Sequence, residues 1–249
     1  MKKPYDRITI LIEKLNTTRI KNIGKMSDSD FTRNRKMPFN DMIKCILNKE
    51  GKTTTMEINN YFKKINKREQ RVSKQAFSKQ RCKLNPEVFK VLNKEYVESI
   101  YSETNYKTFK GYILVAIDGS ILEIPNTEEL REQYGYQNSN KKEVRRVARA
   151  KASGLYDVEN NIMIDAILDR YNTPERTLAK KNIENMNSIL GNDKKILMIF
   201  DRGYISTEML MYLSELPVHY LFRVQGNTYN REKESMLTND ELIDLKVDG

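Results

Sequence analysis

The stretch ILVAIDGS, Ile113–Ser120, carries an apolar, largely β-branched run straight into an aspartate, with Gly119 and Ser120 directly behind it. Such a run reads as a buried strand, and a buried strand has no ordinary reason to finish on a carboxylate. The simplest account makes Asp118 the start of a turn, because Asp-Gly tolerates left-handed backbone and a short acid can bond its own main chain. The pattern recurs in KILMIFDRGY, where Lys195–Phe200 form a second apolar strand that stops at Asp201, followed by Arg202 and Gly203. Two strands that finish alike call for one explanation.

The segments around these strands supply the architecture. IPNTEELREQYG is polar and turn-rich, with a short helical piece at most. Strand-like runs near Arg149–Leu155 and Ile162–Leu168 flank DVENN, a hairpin signal. PERTLAKKNIENMNSIL reads as a helix with Leu178, Ile183, Met186, Ile189 and Leu190 as its apolar stripe and Gly191 as its stop. A strand (KILMIF), a helix (STEMLMYLSEL) and a last strand (VHYLFRV) follow. The order β-β-β-α-β-α-β predicts an α/β unit with one mixed sheet, antiparallel at its start and parallel where helices cross over, covered on both faces. Crossovers place sites at the carboxyl ends of parallel strands. With the first and fourth strands as neighbours, Asp118 and Asp201 face one crevice. Two carboxylates held that close repel unless a cation lies between them, and oxygen ligands with open positions suit Mg²⁺ or Mn²⁺. A pair of such ions serves phosphodiester transfer, activating one oxygen and stabilising another.

The front of the chain differs in charge and in period. Residues 1–110 hold 26 Lys and Arg against 12 Asp and Glu, and residues 111–249 hold 18 against 22, which together give the formal charge of +10. The excess of cations in the first part suits an anionic partner, and nucleic acid is the natural one, because each phosphate neutralised releases condensed counterions. A solvated basic surface without a ligand is the competing account. Helical spacing appears at Ile8, Leu11, Ile12 and Leu15, at Met42, Ile43, Ile46 and Leu47 behind the candidate caps Asn40 and Asp41, and at Ile58, Phe62 and Ile65 behind a threonine cap. In VSKQAFSKQRCKL, Ser73 is the candidate cap and Ala76, Phe77 and Leu84 face inward. Lys74, Ser78 and Arg81 then share one outward face, with Gln75, Lys79 and Lys83 beside them. That face suits the recognition helix of a helix-turn-helix, which offers cationic and amide side chains to phosphates and base edges. The intervening Ile65–Arg71 contains no glycine, and a solvated basic face has the same spacing. LNPEVFKVLNKEYVESIY continues as a helix after Pro86.

Several classes are excluded by composition. No run of eighteen apolar residues occurs, and the charged N-terminal stretch reads as neither membrane span nor signal peptide. Cys45 and Cys82 stand singly in helical patterns, too few for a disulfide framework or a zinc site, and a reducing cytoplasm suits them.

AIDGS followed by LEIPNT, then ASGLYDVENNIMIDA, then FDRGY, resembles the DDE transposases of bacterial insertion sequences, in particular the insertion-sequence-four type whose second acid sits in an Asp-Arg-Gly-Tyr context. The resemblance implies residues 1–105 as an all-helical basic DNA-binding domain and residues 106–249 as an incomplete RNase H-like core. It implies a metal-dependent enzyme that nicks and joins DNA at element ends, with Asp118 and Asp201 as the first two acids and metal ligands, and Mg²⁺ or Mn²⁺ as cofactor. Lys74, Gln75, Lys79, Arg81 and Arg202 become DNA contacts, Gly203 and Tyr204 shape the loop, and a homodimer forms on DNA in a bacterial cytoplasm, near the nucleoid. The family's third acid belongs to Tyr-x2-Arg-x3-Glu-x6-Lys. Tyr220 and Arg223 keep the first interval, but residue 227 is Asn. Glu232 and Glu234 are the runners-up, in a polar segment that reads as loop. ELIDLKVDG resembles the opening of the strand-rich insertion that precedes the third acid, so the expectation is a truncated, partial or inactive copy. The alternative is a DNA-binding module without catalysis; an unrelated metal-dependent phosphohydrolase is a third.

Smaller signals take plainer readings. His219 reads as packed or partly exposed in a strand. Lys141–Lys151 lines a DNA channel or is a solvated edge. Asp157, Asp165 and Asp169 fall at hairpin and edge positions.

Overall fold

A computed structural model describes residues 4–33, 35–138, 146–226 and 228–242. The chain divides into two compact units, residues 1–99 and 100–249.

The first unit is helical: α1 (Pro4–Leu15), α2 (Thr18–Ile23), α3 (Phe39–Leu47), α4 (Thr54–Lys64), α5 (Lys74–Arg81) and α6 (Glu87–Tyr101), which runs past the unit's last residue. Leu15, Ile20, Phe39, Met42, Ile43, Ile58, Phe62, Phe77, Leu84 and Val88 form one core. A Cβ on Gly24 would stand 2.5 Å from the Phe39 ring, so only glycine lets α2 end against that core. The cap of α3 is Pro38, and Asn40 and Asp41 lie inside the first turn, where Asp41 accepts the Tyr61 hydroxyl at 2.8 Å. Ser73 caps α5 through the Ala76 amide, as its sequence predicts. Ala76 itself is exposed, because the two-turn helix buries only Phe77 and Gln80. Ile12, expected on the inner face of α1, is likewise exposed.

The second unit is built on a six-stranded mixed sheet. Its elements are β1 (Ile113–Glu123), α7 (Glu128–Tyr134), β2 (Tyr136–Asn138), β3 (Arg146–Asp157), β4 (Ile162–Arg170), α8 (Glu175–Leu190), β5 (Ile196–Phe200), α9 (Thr207–Ser214), β6 (His219–Phe222) and α10 (Asn230–Glu234). The strand order is β2-β3-β1-β5-β6, with β4 also paired to β3. β1, β3 and β4 run antiparallel in sequence, then α8 crosses over to bring β5 parallel to β1, and α9 brings β6 parallel to β5. This is the mixed sheet that the element order predicts.

Side chains alternate between the two faces of a strand. Val115, Ile117, Leu155, Met198 and Phe200 are buried on the face that carries α8, whose Leu178, Ala179, Ile183, Met186 and Leu190 are buried as well. A polar peg fixes that helix. Buried Ser153 donates to Asn182 Oδ1 at 2.6 Å, and Asn182 Nδ2 donates to Asp165 at 2.9 Å. On the opposite face Ala116, Tyr156 and Ile199 are half-buried, and Met163, Leu168 and Leu221 are exposed.

Asp157 is no edge residue. Fully buried at the β3–β4 hairpin, it accepts the Tyr101 hydroxyl and both the backbone and side-chain nitrogens of Asn160. Asp165 and Asp169 are taken by α8, through Asn182 and Asn185 for the first and Lys181 for the second.

Candidate active site

Parallel pairing between β1 and β5 runs from Ile113 opposite Ile196 to Ile117 opposite Phe200. Asp118 and Asp201 are the next residue on each strand. Neighbouring strands lie about 4.8 Å apart, so the register delivers the two aspartates side by side at the point where β5 leaves the sheet. Both are exposed.

The strand does not end at Asp118, as the run ILVAI suggests. β1 continues to Glu123, paired only with β3, and Asp118 lies opposite Gly154. The turn reading of Asp118 therefore falls, although its Oδ1 does accept the Gly119 amide at 2.8 Å. Alternation sets Asp118 with Ala116, Ser120, Ala152 and Gly154 along a shallow concavity on the face away from α8. Asp201 does terminate its strand. Its carbonyl accepts the Tyr204 amide at 3.1 Å, which makes Asp201–Tyr204 a tight turn with Arg202 and Gly203 exposed at the tip.

Two residues complete the surroundings, of which the sequence reading passed over the first and took the second only as the end of a basic run. Glu175, the first residue of α8, lays its side chain against Gly119: a Cβ there would meet Glu175 Cγ, Cδ and Oε1 at 3.1, 3.2 and 3.3 Å. Lys151 on β3 stands 3.9 Å from the same carboxylate. Tyr204, expected to shape its loop, is buried in tilted contact with the Phe200 ring, 5.8 Å between centroids. Its hydroxyl has no hydrogen-bond partner among the described residues. Burial, followed by the negative charges of Glu175, Asp118 and Asp201, pushes the Tyr204 phenol well above its ordinary pKa of 10.0.

The donor set fits a hard divalent cation: carboxylate oxygens on adjacent strands, open to solvent, with a third carboxylate and an orphaned buried hydroxyl at hand. Among the described residues no group of three or more His, Cys, Asp or Glu side chains is already gathered as a metal cage.

The other predicted residues fall elsewhere. Lys74, Gln75, Lys79 and Arg81 are exposed on α5, and among the described residues no acid pairs with the three cations in a salt bridge. α4 and α5 are separated by residues 65–73, longer than the three or four residues of a helix-turn-helix turn. Asn66 takes the left-handed backbone there that a glycine would otherwise supply. Glu232 and Glu234 lie on α10, a short helix rather than loop, and Lys233 between them donates to Gln225 and Gly226 carbonyls. Tyr220 is on strand β6, as HYLFRV predicts; Asn227 lies outside the described residues. So do residues 141–145 of the basic run and 243–249 of ELIDLKVDG. His219 is exposed and meets the Tyr112 ring edge-on at 5.0 Å. Among the described residues no helix is long and apolar enough to cross a membrane.

A family model for the transposase DDE domain matches residues 109–246, the whole of the sheet and its helices. The chain belongs to that family. No curated protein sequence matches the chain. Solved structures similar to it are also transposases. The piggyBac transposase, a synaptic complex with hairpin DNA, is 11% identical at TM-score 0.45, covering 89% of this chain and 51% of its own. The Mos1 mariner paired-end complex with Mn is 11% identical at TM-score 0.31, covering 93% and 78%. The Drosophila P element transposase strand transfer complex is 7% identical at TM-score 0.30, covering 88% and 48%. The DDE chain thus spans about half the length of the piggyBac chain.

Proposed function

We propose that the chain is a DNA transposase of the insertion-sequence-four, Asp-Arg-Gly-Tyr type, in which Asp118 and Asp201 hold Mg²⁺ or Mn²⁺ at the end of a DNA element. The observation that carries this reading is the β1–β5 register, which makes two aspartates from distant segments neighbours at one sheet end. When bound, the cation supplies charge neutralisation and activation of the attacking oxygen in phosphodiester cleavage. The aspartates fix its position through main-chain pairing rather than through a mobile loop. Arg202, exposed at the tip of the turn that Asp201 opens, contacts a phosphate of the bound strand on this reading. The exposed Lys74, Gln75, Lys79 and Arg81 give the helical unit a cationic face for DNA, and a homodimer assembles there on paired ends.

No Tyr-x2-Arg-x3-Glu motif occurs within residues 1–249. The exposed cations of α5 support a second reading, a DNA-binding module that competes for element ends without cutting them. Incubation of labelled element-end DNA with the chain and Mn²⁺ separates the two. Nicking that disappears in Asp118→Asn and Asp201→Asn supports the enzyme. Metal-independent binding with no nick from the parent chain supports the module.

A further inference from the structure

We propose that Glu175 is the third carboxylate of this site, released from Lys151 to join Asp118 and Asp201 around a divalent cation. The proposal rests on the metal-binding assignment of the two aspartates and adds a ligand from α8 that no transposase motif marks.

Helix position comes first. Glu175 precedes the buried Leu178 by one turn and Asn182 by two, so it belongs to the stripe of α8 that faces the sheet. The Ser153–Asn182–Asp165 peg holds that stripe in place. At its first turn the helix therefore delivers a carboxylate onto the sheet where a leucine or methionine would continue the pattern.

The landing point is Gly119. With no side chain there, Glu175 reaches the β1 backbone one residue from Asp118; the two carboxylates start on opposite faces of the strand and meet around the edge that β5 leaves free beyond Phe200. Among the described residues its ion-pair partner is Lys151, and 3.9 Å with the glutamate side chain 43% exposed is a loose contact. A carboxylate so held is free to change rotamer.

Tyr204 is an independent sign that something is to arrive here. The residue is 1% exposed and its hydroxyl is unpartnered among the described residues, and buried polar groups are rarely left so. The three carboxylates whose charges reach it are those of Glu175, Asp118 and Asp201. A Glu175 side chain drawn toward the aspartates brings an acceptor oxygen to a donor that has none. That no three-ligand group is gathered among the described residues then marks the resting state, with Glu175 parked on Lys151.

Calorimetric titration of the full chain with Mn²⁺ tests the assignment. Glu175→Gln is expected to weaken Mn²⁺ at least tenfold with an unchanged circular dichroism melt, while Asp118→Asn and Asp201→Asn abolish binding. Lys151→Met is expected to tighten Mn²⁺ severalfold, and to have no such effect in the Glu175→Gln background. Gly119→Val, which fills the place where Glu175 lies, is expected to match Glu175→Gln. If Glu175→Gln binds within twofold of the parent while the aspartate variants fail, the glutamate assignment is wrong and the two-aspartate site stands. If the parent binds no Mn²⁺, or the aspartate variants bind it normally, the metal reading fails and this proposal with it.

Discussion

Replacing Asn182 by leucine tests the peg that fixes α8, and through it the placement of Glu175. The two side chains share one branched skeleton, with leucine the bulkier, so the change removes polar contacts without opening a cavity. Ser153, 2% exposed, is left with a hydroxyl and no acceptor, a loss of about 1–3 kcal/mol. Asp165 loses one charge-assisted bond. It keeps the bond from Asn185 and is half-buried, so this contribution sits near the lower end of about 1.5–3 kcal/mol. Added apolar burial offsets about 1 kcal/mol. The net expectation is destabilisation of the sheet unit by about 2–3 kcal/mol, or roughly 5–10 °C in Tm at about 2–4 °C per kcal/mol. Differential scanning calorimetry reads it directly. Adding Ser153→Ala should recover about 1 kcal/mol, because a pair of apolar groups is cheaper than one stranded hydroxyl. A Tm within about 1 °C of the parent, or a further loss on adding Ser153→Ala, would refute the peg.

Three other expectations are independent of that helix. Charge reversal of Lys74, Lys79 and Arg81 to glutamate should weaken DNA binding and flatten its dependence on log salt by about two to three units; an unchanged slope would move the DNA contact elsewhere. Glu95 is nearly buried; burial raises its pKa, but hydrogen bonds from Lys14 and Arg19 outweigh that and hold it below its ordinary 4.5. Its contribution is therefore present above about pH 4.5 and lost as pH falls through the lower folded value. Melts of the parent should drop over that window and those of Glu95→Gln less so. Burial raises the Cys45 thiol to about 11, whereas Cys82 is exposed, so a thiol reagent at neutral pH should modify one cysteine quickly and the other only on unfolding.

The sheet was legible because its strands obey simple periods. Two apolar runs that each meet an aspartate, a hairpin around DVENN and a helical stripe before KILMIF leave few topologies once crossovers are right-handed. Short pieces escaped: α2 and β2 are too brief to show a period, and α10 lies in a polar segment whose composition suits loop. The end of β1 was misplaced because SILE alternates only weakly, while β3 supplies pairing that no local signal announces. At the site, Asp118 and Asp201 stood out by interrupting apolar runs. Glu175 did not, because a glutamate in a first turn is ordinary helix-dipole chemistry. Its signal was phase: it shares the inward stripe with Leu178 and Asn182, where an acid is out of place. Asp157 hid for the opposite reason, since an acid beside a hairpin looks like surface until Tyr101 is seen to close over it.

The pairing of Ile117 with Phe200 also governs when the acids can act. Residues 119–200 lie between them, so a hairpin, a helix and a long closure must precede the docking of β5, and contacts of such long range form late. A nascent chain that has released β1 through β4 carries Asp118 on an exposed strand with no partner acid. On the proposed reading, the capacity to hold a cation is switched on only by completion of the fold, and a half-made chain has no assembled pair of acids.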